Sequence, residues 1–130
     1  MTEHTERMRV NWVDTDASGL IHYTAALRYF EVAEHALMRK LFPEGRPGDL
    51  RLPRVHVEAD YKAALRYPDE FTCTVRVDGV GRSSVTYSYD IERLDGVKCI
   101  RGKIVAAAVD ATGRSTELPE VLRRNLEAAL

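Results

Sequence analysis

The chain has 130 residues, a length that suits one domain with a sizeable core. Hydrophobic residues make up 45% of the sequence and charged residues 30%, which is typical of a globular protein rather than a disordered one. Because 19 Lys and Arg are balanced by 20 Asp and Glu, no basic excess favours binding to nucleic acid. No run approaches the ~18 apolar residues of a membrane helix, and the polar N-terminus is unlike a signal peptide, so we expect a cytoplasmic protein without membrane contact.

The spacing of cysteine and histidine predicts neither a disulfide framework nor a metal site. Cys73 and Cys99 lie inside predicted strands and form no CxxC pair, which indicates free buried thiols in a reducing compartment. The 4 histidines form no HxH or HExxH pattern. We therefore expect no metal and no redox cofactor.

The N-terminal third of the chain predicts a strand, an acidic turn and a long helix. Apolar and polar residues alternate from about residue 7 to residue 13, which is the period of a half-buried strand, and we expect residues 1–6 to be a disordered tail. An acidic turn follows at residues 14–22. From about residue 24 to residue 41 the apolar positions recur at helical spacing, so we expect this helix to lie against a sheet. Its apolar stripe comprises Ala26, Leu27, Phe30, Ala33, Leu37, Met38 and Leu41.

The remainder of the chain predicts four further strands and a short helix. A loop rich in Pro and Gly spans Phe42 to Pro53. The last strand is the most apolar, which favours a central position with both faces covered. Pro119 opens the C-terminal helix, whose predicted apolar face contains Val121, Leu122, Leu126 and Ala129. The alternating patterns place the strands at about residues 55–61, 71–77, 85–91 and 97–109.

This order of elements predicts an α+β fold in a single domain of residues 1–130. Strands that follow one another through short turns pair in an antiparallel sheet, and the long helix covers one face of that sheet.

A turn with two aspartates precedes the long helix. In the sequence Asp14-Thr15-Asp16-Ala17-Ser18-Gly19, carboxylates, a hydroxyl and glycine supply turn chemistry just ahead of the helix start. Since the first N–H groups of a helix have no intrahelical partner, a carboxylate here lies beside free donors. That combination is one way to build a hydrolytic site.

This turn, followed by Leu20-Ile21-His22-Tyr23 and an apolar helix, resembles the signature of the 4-hydroxybenzoyl-CoA thioesterase family. That family includes the acyl-CoA thioesterases associated with bacterial Tol–Pal gene clusters. The resemblance runs from about Arg7 to the C-terminus and implies the hotdog fold, a curved antiparallel sheet wrapped around one long central helix. It also implies that two subunits join their sheets with active sites between them, so we expect a homodimer or a homotetramer.

The resemblance assigns the chemistry to the turn. Asp16 matches the catalytic aspartate, as either nucleophile or general base. The backbone N–H of Tyr23 matches the group that polarises the thioester carbonyl, and Gly19 allows the close approach. The implied activity is hydrolysis of an acyl-CoA to a free acid and CoA, with the acyl group left open. One such backbone donor is typically worth ~3 kcal/mol at the transition state.

The substrate-binding residues implied by the resemblance lie in two places. His22 and Thr24, beside the helix start, are expected to line the site. Arg82 and Ser83 match a stretch that often begins with a basic residue followed by small hydroxyls, and Arg82 is the best candidate for a CoA phosphate.

Other interpretations remain for these residues and for the whole protein. Asp16 would also serve as a simple cap of the turn, while His22 and Arg82 would also serve as solvated loop residues. We expect Asp14 to bond the amides of its own turn, and Glu31 to be a partly buried, hydrogen-bonded residue rather than a catalytic acid. The alternatives to an acyl-CoA thioesterase are a thioesterase for carrier-protein-bound acyl chains and a non-catalytic acyl-CoA-binding module.

Overall fold

The computed structural model describes residues 2–46 and 50–130. Within these ranges the elements are β1 (Glu3–Arg9), α1 (Ala25–Leu41), β2 (Arg54–Tyr61), β3 (Glu70–Val80), β4 (Ser84–Arg93), β5 (Lys98–Ala107) and α2 (Glu120–Ala128). The strands form an antiparallel sheet in the order β1-β3-β4-β5-β2, which confirms the predicted α+β class.

Helix α1 packs across one face of the sheet. The Phe30 ring stacks on Tyr89 of β4, with ring centres 4.4 Å apart and an interplanar angle of 15°. Gly102 of β5 permits this approach, since a Cβ there would lie 2.4 Å from the Phe30 ring. Leu27, which the pattern assigns to the core, is instead 36% exposed near the start of the helix. The buried members of the predicted stripe are Ala26, Phe30, Ala33 and Leu37.

The opposite face of the sheet is charged. On β5, Arg101 and Lys103 are exposed, whereas their neighbours Ile100 and Gly102 are buried. The Arg101 guanidinium lies 3.4 Å from the carboxylate of Asp90 on β4. The expectation that both faces of this strand are covered is therefore wrong, although β5 does lie inside the sheet, between β4 and β2.

Residues 3–6 form the first half of β1, so the prediction of a disordered tail is wrong for them. Strand β1 pairs with β3 along its length, from Glu3 opposite Arg76 to Arg9 opposite Glu70. Met8 is its one strongly apolar side chain, and no residue of the strand is fully buried. Apolar periodicity gives no signal for such a strand, because backbone pairing at the sheet edge holds it. Residue 1 of the predicted tail lies outside the described residues.

The chain also leaves the strand direction earlier than predicted, after Arg9 rather than Val13. A short 3₁₀ helix, Trp12–Asp14, follows. It is closed by the Asp14 N–H, which donates to the Asn11 carbonyl (2.9 Å), and by the Asn11 N–H, which donates to the Asp14 carboxylate (3.0 Å). Trp12 is consequently 73% exposed instead of being half-buried in a strand.

The other elements lie close to their predicted positions. In α2, Leu122 and Leu126 are buried, whereas Val121 is 55% exposed. Cys73 and Cys99 are free and buried, as predicted. Within the described residues, neither helix has the length and apolar character that crossing a membrane requires.

The predicted loop from Phe42 to Pro53 includes residues 47–49, which lie outside the described residues. The organisation of residues 1–130 as a single domain stays a prediction.

Candidate active site

Residues 16–19 form a tight turn just ahead of α1. The Gly19 N–H donates to the Asp16 carbonyl (3.0 Å), and the Ser18 N–H donates to Asp16 Oδ1 (2.8 Å). The Ser18 hydroxyl bonds the same carboxylate oxygen. Gly19 adopts φ +82°, a left-handed conformation that costs little only for glycine. The turn therefore holds the Asp16 carboxylate in place at the surface.

The Asp16 carboxylate is exposed and ionised at neutral pH. Hydrogen bonds from the Ser18 hydroxyl and N–H hold the pKa of Asp16 below its ordinary value, because they favour the charged form. Among the described residues no group donates to Oδ2 of this carboxylate. One carboxylate oxygen is therefore free to accept a proton or to attack an electrophile.

The same turn occurs a second time in the chain, at Asp110-Ala111-Thr112-Gly113. There the Thr112 N–H donates to Asp110 Oδ1 (2.8 Å), the Gly113 N–H donates to the Asp110 carbonyl (3.0 Å), and Gly113 has φ +86°. Local hydrogen bonding alone thus gives Asp16 no special role. What distinguishes Asp16 is the connection of its turn to α1, because Arg28 and Tyr29 of that helix donate to the carboxylate of Asp14, two residues before Asp16.

The start of α1 offers free backbone donors beside this turn. The helix begins at Ala25, and its N-cap residue Thr24 makes no side-chain capping bond. The Thr24 N–H donates to Nδ1 of His22 (3.3 Å), and that nitrogen lies 2.7 Å from the Thr24 hydroxyl. In the part of the chain that the structure describes, the Tyr23 N–H donates to no acceptor. Asp16, Gly19, His22, Tyr23 and Thr24 thus all lie in the segment that leads into α1.

The buried carboxylate of Asp14 stabilises the segment just before the turn. Asp14 is 4% exposed and accepts hydrogen bonds from the Asn11 N–H (3.0 Å), the Tyr29 hydroxyl (2.8 Å) and Arg28 (2.6 Å). Burial by itself would raise the pKa of Asp14, but these three donors outweigh burial and hold the pKa below its ordinary value. The Asp14 carbonyl also accepts from the His22 N–H (2.7 Å), so this residue ties both ends of the turn to α1.

An apolar groove of about 290 Å³ runs beside the turn. The Ile21 N–H donates to the Leu65 carbonyl (2.9 Å), which fixes the turn against the connection between β2 and β3. The Tyr61 hydroxyl, at the end of β2, donates to the Tyr23 carbonyl (2.5 Å). The groove is lined by Leu20, Ile21, Tyr61, Lys62, Ala63, Ala64, Leu65 and Ile100.

Arg82 and Ser83 lie far from this turn in the same chain. They connect β3 to β4, whereas the turn lies at the other end of β3, where the Val10 N–H donates to the Asp69 carbonyl. The 11 residues of β3 span about 33 Å at about 3.3 Å per residue. The Arg82 guanidinium is mostly exposed and lies 2.9 Å from the carboxylate of Glu117. The structure therefore separates the predicted phosphate site from the predicted catalytic turn of the same subunit.

The buried glutamate of α1 is Glu34, not Glu31. Glu34 is 4% exposed and accepts hydrogen bonds from the Tyr89 hydroxyl (2.8 Å) and Arg54 (2.6 Å). Glu31 is exposed, so the prediction of a partly buried Glu31 is wrong. Spacing could have identified Glu34, because it lies four residues after Phe30 and three before Leu37 on the core stripe.

The fold of the chain is similar to those of known proteins. A solved structure described as a predicted thioesterase from Bacillus stearothermophilus superposes with a TM-score of 0.87 at 24% identity, covering 99% of this chain and 97% of that one. A 1,4-dihydroxy-2-naphthoyl-CoA hydrolase of Synechococcus sp. (strain CC9605) is 31% identical over 133 residues, covering 92% of this chain and 87% of the relative. A protein of Aquifex aeolicus (strain VF5) named “Putative esterase” is 35% identical over 92 residues, which are 68% of this chain and 72% of the relative.

These similarities confirm the hotdog fold that the sequence resemblance implies. The model of the thioesterase superfamily matches residues 18–100 of this chain. The chain belongs to the thioesterase superfamily, and it is a thioester hydrolase. The matched region begins at Ser18, after Asp16, so it covers the helix and the sheet but not the aspartate.

Proposed function

We propose that the protein is an acyl-CoA thioesterase, which hydrolyses a thioester to a free acid and CoA. The observation that carries this proposal is the exposed, ionised Asp16 carboxylate just ahead of a helix start whose Tyr23 N–H meets no acceptor among the described residues. The Synechococcus relative, named for hydrolysis of a CoA thioester, supports CoA as the thiol. The narrower assignment to the 4-hydroxybenzoyl-CoA and Tol–Pal branch rests on the sequence resemblance alone.

In the proposed mechanism the thioester oxygen accepts a hydrogen bond from the Tyr23 N–H. Water attacks the carbonyl carbon while the Asp16 carboxylate takes one of its protons. Negative charge then grows on the oxygen, where one backbone donor and the positive end of α1 lower the barrier by ~3 kcal/mol. The C–S bond breaks, and the CoA thiolate recovers the proton from Asp16. If Asp16 is instead the nucleophile, it forms an anhydride that water hydrolyses in a second step.

We further propose a homodimer in which two β2 strands pair. Strand β2 is an edge of the sheet, and its side chains Val55 and Val57 are 62% and 44% exposed. Such an edge is safer when it is paired. A two-fold axis at this edge makes the two strands antiparallel, so the Arg82 end of one subunit lies beside the Asp16 end of the other.

This pairing is how Arg82 and Ser83 would reach the substrate. Arg82 would bind a CoA phosphate from the second subunit, while His22 and Thr24 line the thioester end of the site. The sedimentation mass tests the assembly: twice 14.7 kDa, or four times in a tetramer, supports it, and a stable monomer contradicts it. We place the protein in the cytoplasm, as two free thiols suggest.

Thiol release from a panel of thioesters tests the proposed function. The panel contains short-chain, long-chain and aromatic acyl-CoAs, together with the same acyl groups on a phosphopantetheinyl carrier protein. Turnover of CoA esters supports the proposal, and the preferred ester identifies the acyl group. Turnover of the carrier-bound acyl groups alone would instead identify the protein as a thioesterase for carrier-protein-bound chains. Binding without turnover would leave an acyl-CoA-binding module.

A further inference from the structure

We propose that Tyr61 is a positioning residue, whose hydroxyl holds the helix start so that the Tyr23 N–H faces the thioester. The Tyr61 phenol donates to the Tyr23 carbonyl at 2.5 Å. This inference rests on the proposed function, in which the Tyr23 N–H polarises the substrate carbonyl. It adds a residue from β2 to a site otherwise built from the turn and α1.

The peptide that carries the Tyr23 N–H is held at its His22 carbonyl, which accepts from the Ala25 N–H (2.9 Å), and the Tyr23 side chain adds no anchor in the core. That side chain is 67% exposed, and its ring packs on His22 with centres 4.6 Å apart. His22 is itself exposed, so the stacked pair is not fixed by burial. The residues on both sides are tied by backbone bonds, through the His22 N–H and through the Leu27 N–H to the Thr24 carbonyl (3.1 Å). The peptide that carries the Tyr23 carbonyl lies between these hydrogen bonds.

The hydrogen bond from Tyr61 also decides where α1 begins. In a regular helix the Leu27 N–H would donate to the carbonyl four residues earlier, which is that of Tyr23. Here the Leu27 N–H donates to the Thr24 carbonyl instead, and the Tyr23 carbonyl accepts a hydrogen bond from the Tyr61 hydroxyl. Without that hydroxyl, the Tyr23 carbonyl is left to compete for the Leu27 N–H. The helix would then extend backwards by one residue and turn the peptides around Tyr23.

Tyr61 is suitably placed for this role. It is the last residue of β2 and pairs with Ile100 of β5, so its backbone belongs to the sheet. Its ring lines the apolar groove beside the turn, and burial raises the pKa of its phenol, which keeps the hydroxyl protonated as a donor. The donor, Tyr61, therefore belongs to the sheet, whereas the acceptor, the Tyr23 carbonyl, lies in the loop that Tyr61 positions.

The test compares Tyr61→Phe with Tyr67→Phe, each of which removes one hydroxyl. Both tyrosines are 48% exposed and lie near the turn, but within the described residues the Tyr67 hydroxyl makes no hydrogen bond. We expect Tyr61→Phe to lower kcat by about 10- to 100-fold with little change in KM, because misplacing a donor costs less than removing it. The pattern of amide hydrogen exchange at residues 22–27 should also change in that variant, because the Leu27 N–H gains the Tyr23 carbonyl as an acceptor. Tyr67→Phe should match the wild type in both measurements.

Three results would overturn the proposal. Unchanged kcat in Tyr61→Phe would remove the positioning role even if the protein is an active thioesterase. Equal losses of kcat and thermal stability in both variants would make the effect merely structural. No thiol release by the wild type from any thioester would remove the proposed function and this role together, and the exchange data would then report only whether the hydroxyl orders the turn.

Discussion

The Tyr29 hydroxyl on α1 donates a 2.8 Å hydrogen bond to the buried carboxylate of Asp14, just ahead of the Asp16 turn. Arg28 donates to the other oxygen of the same carboxylate (2.6 Å). The first two turns of the helix are thereby fixed to the segment that precedes the candidate catalytic residue. Hydrogen bonds of this kind hold a candidate base such as Asp16 in a fixed position relative to the helix start.

Asp14→Asn should destabilise the protein in a pH-dependent way. The pKa of Asp14 is depressed in the folded chain, so its charge stabilises the fold above the unfolded pKa of about 4, and this contribution fades as pH falls through the folded pKa. We expect a loss of about 1–3 kcal/mol in the free energy of unfolding at pH 7. Urea unfolding of the variant and the wild type at pH 7 and at pH 3 measures the loss and its dependence on pH.

The control for this variant is Tyr29→Phe, which removes one donor and keeps the carboxylate. We expect a smaller loss of about 1 kcal/mol at pH 7. An Asp14→Asn effect that is equally large at pH 3 and pH 7 would show that the carboxylate charge is not the stabilising feature.

The dependence of kcat/KM on pH should be level from neutrality down to about pH 4. The Ser18 hydrogen bonds hold the pKa of Asp16 below its ordinary value of 3.8, and the reaction needs the ionised carboxylate. Activity is therefore lost only as pH falls through that depressed pKa. An acidic limb centred well above pH 4 would contradict the assignment of the titrating group to Asp16.

Gly102→Ala should disturb the packing of α1 on the sheet. A Cβ at this position would lie 2.4 Å from the Phe30 ring, which is itself stacked on Tyr89. We expect a loss of about 1–3 kcal/mol from overpacking, measured by urea unfolding. Gly79→Ala is the matched control, because there the nearest atom, Thr86 Cβ, is at an ordinary 3.7 Å. Equal stability of the two variants would contradict the close approach.

The sequence was sufficient to predict elements whose pattern reflects burial on one side. Helix α1 and strands β3 and β4 alternate or repeat apolar residues at the period that their packing requires, and the structure places them close to the predicted bounds. The turn was predictable because Asp16 and Gly19 carry turn chemistry in the order in which the chain uses them. Sequence order alone places both beside the helix start.

Features that depend on pairing between distant segments were not predictable. Strand β1 is polar along most of its length and is held by β3, which lies some sixty residues later. The hydrogen bond between Tyr61 and the Tyr23 carbonyl joins two segments 38 residues apart, and alternation in β2 gives Tyr61 only as an apolar residue. Separation of Arg82 from the turn follows from the length and direction of β3, which a local motif does not contain.

The most direct test compares Asp16→Asn with Asp110→Asn in the rate of thiol release from the best acyl-CoA. Both substitutions remove a carboxylate from the same type of turn, with the same Ser or Thr hydrogen bonds and a glycine at positive φ. We predict that Asp16→Asn lowers kcat by about 10²- to 10⁴-fold while the variant stays folded, and that Asp110→Asn keeps the wild-type rate. Full activity in a folded Asp16→Asn variant would contradict the assignment of the chemistry to Asp16.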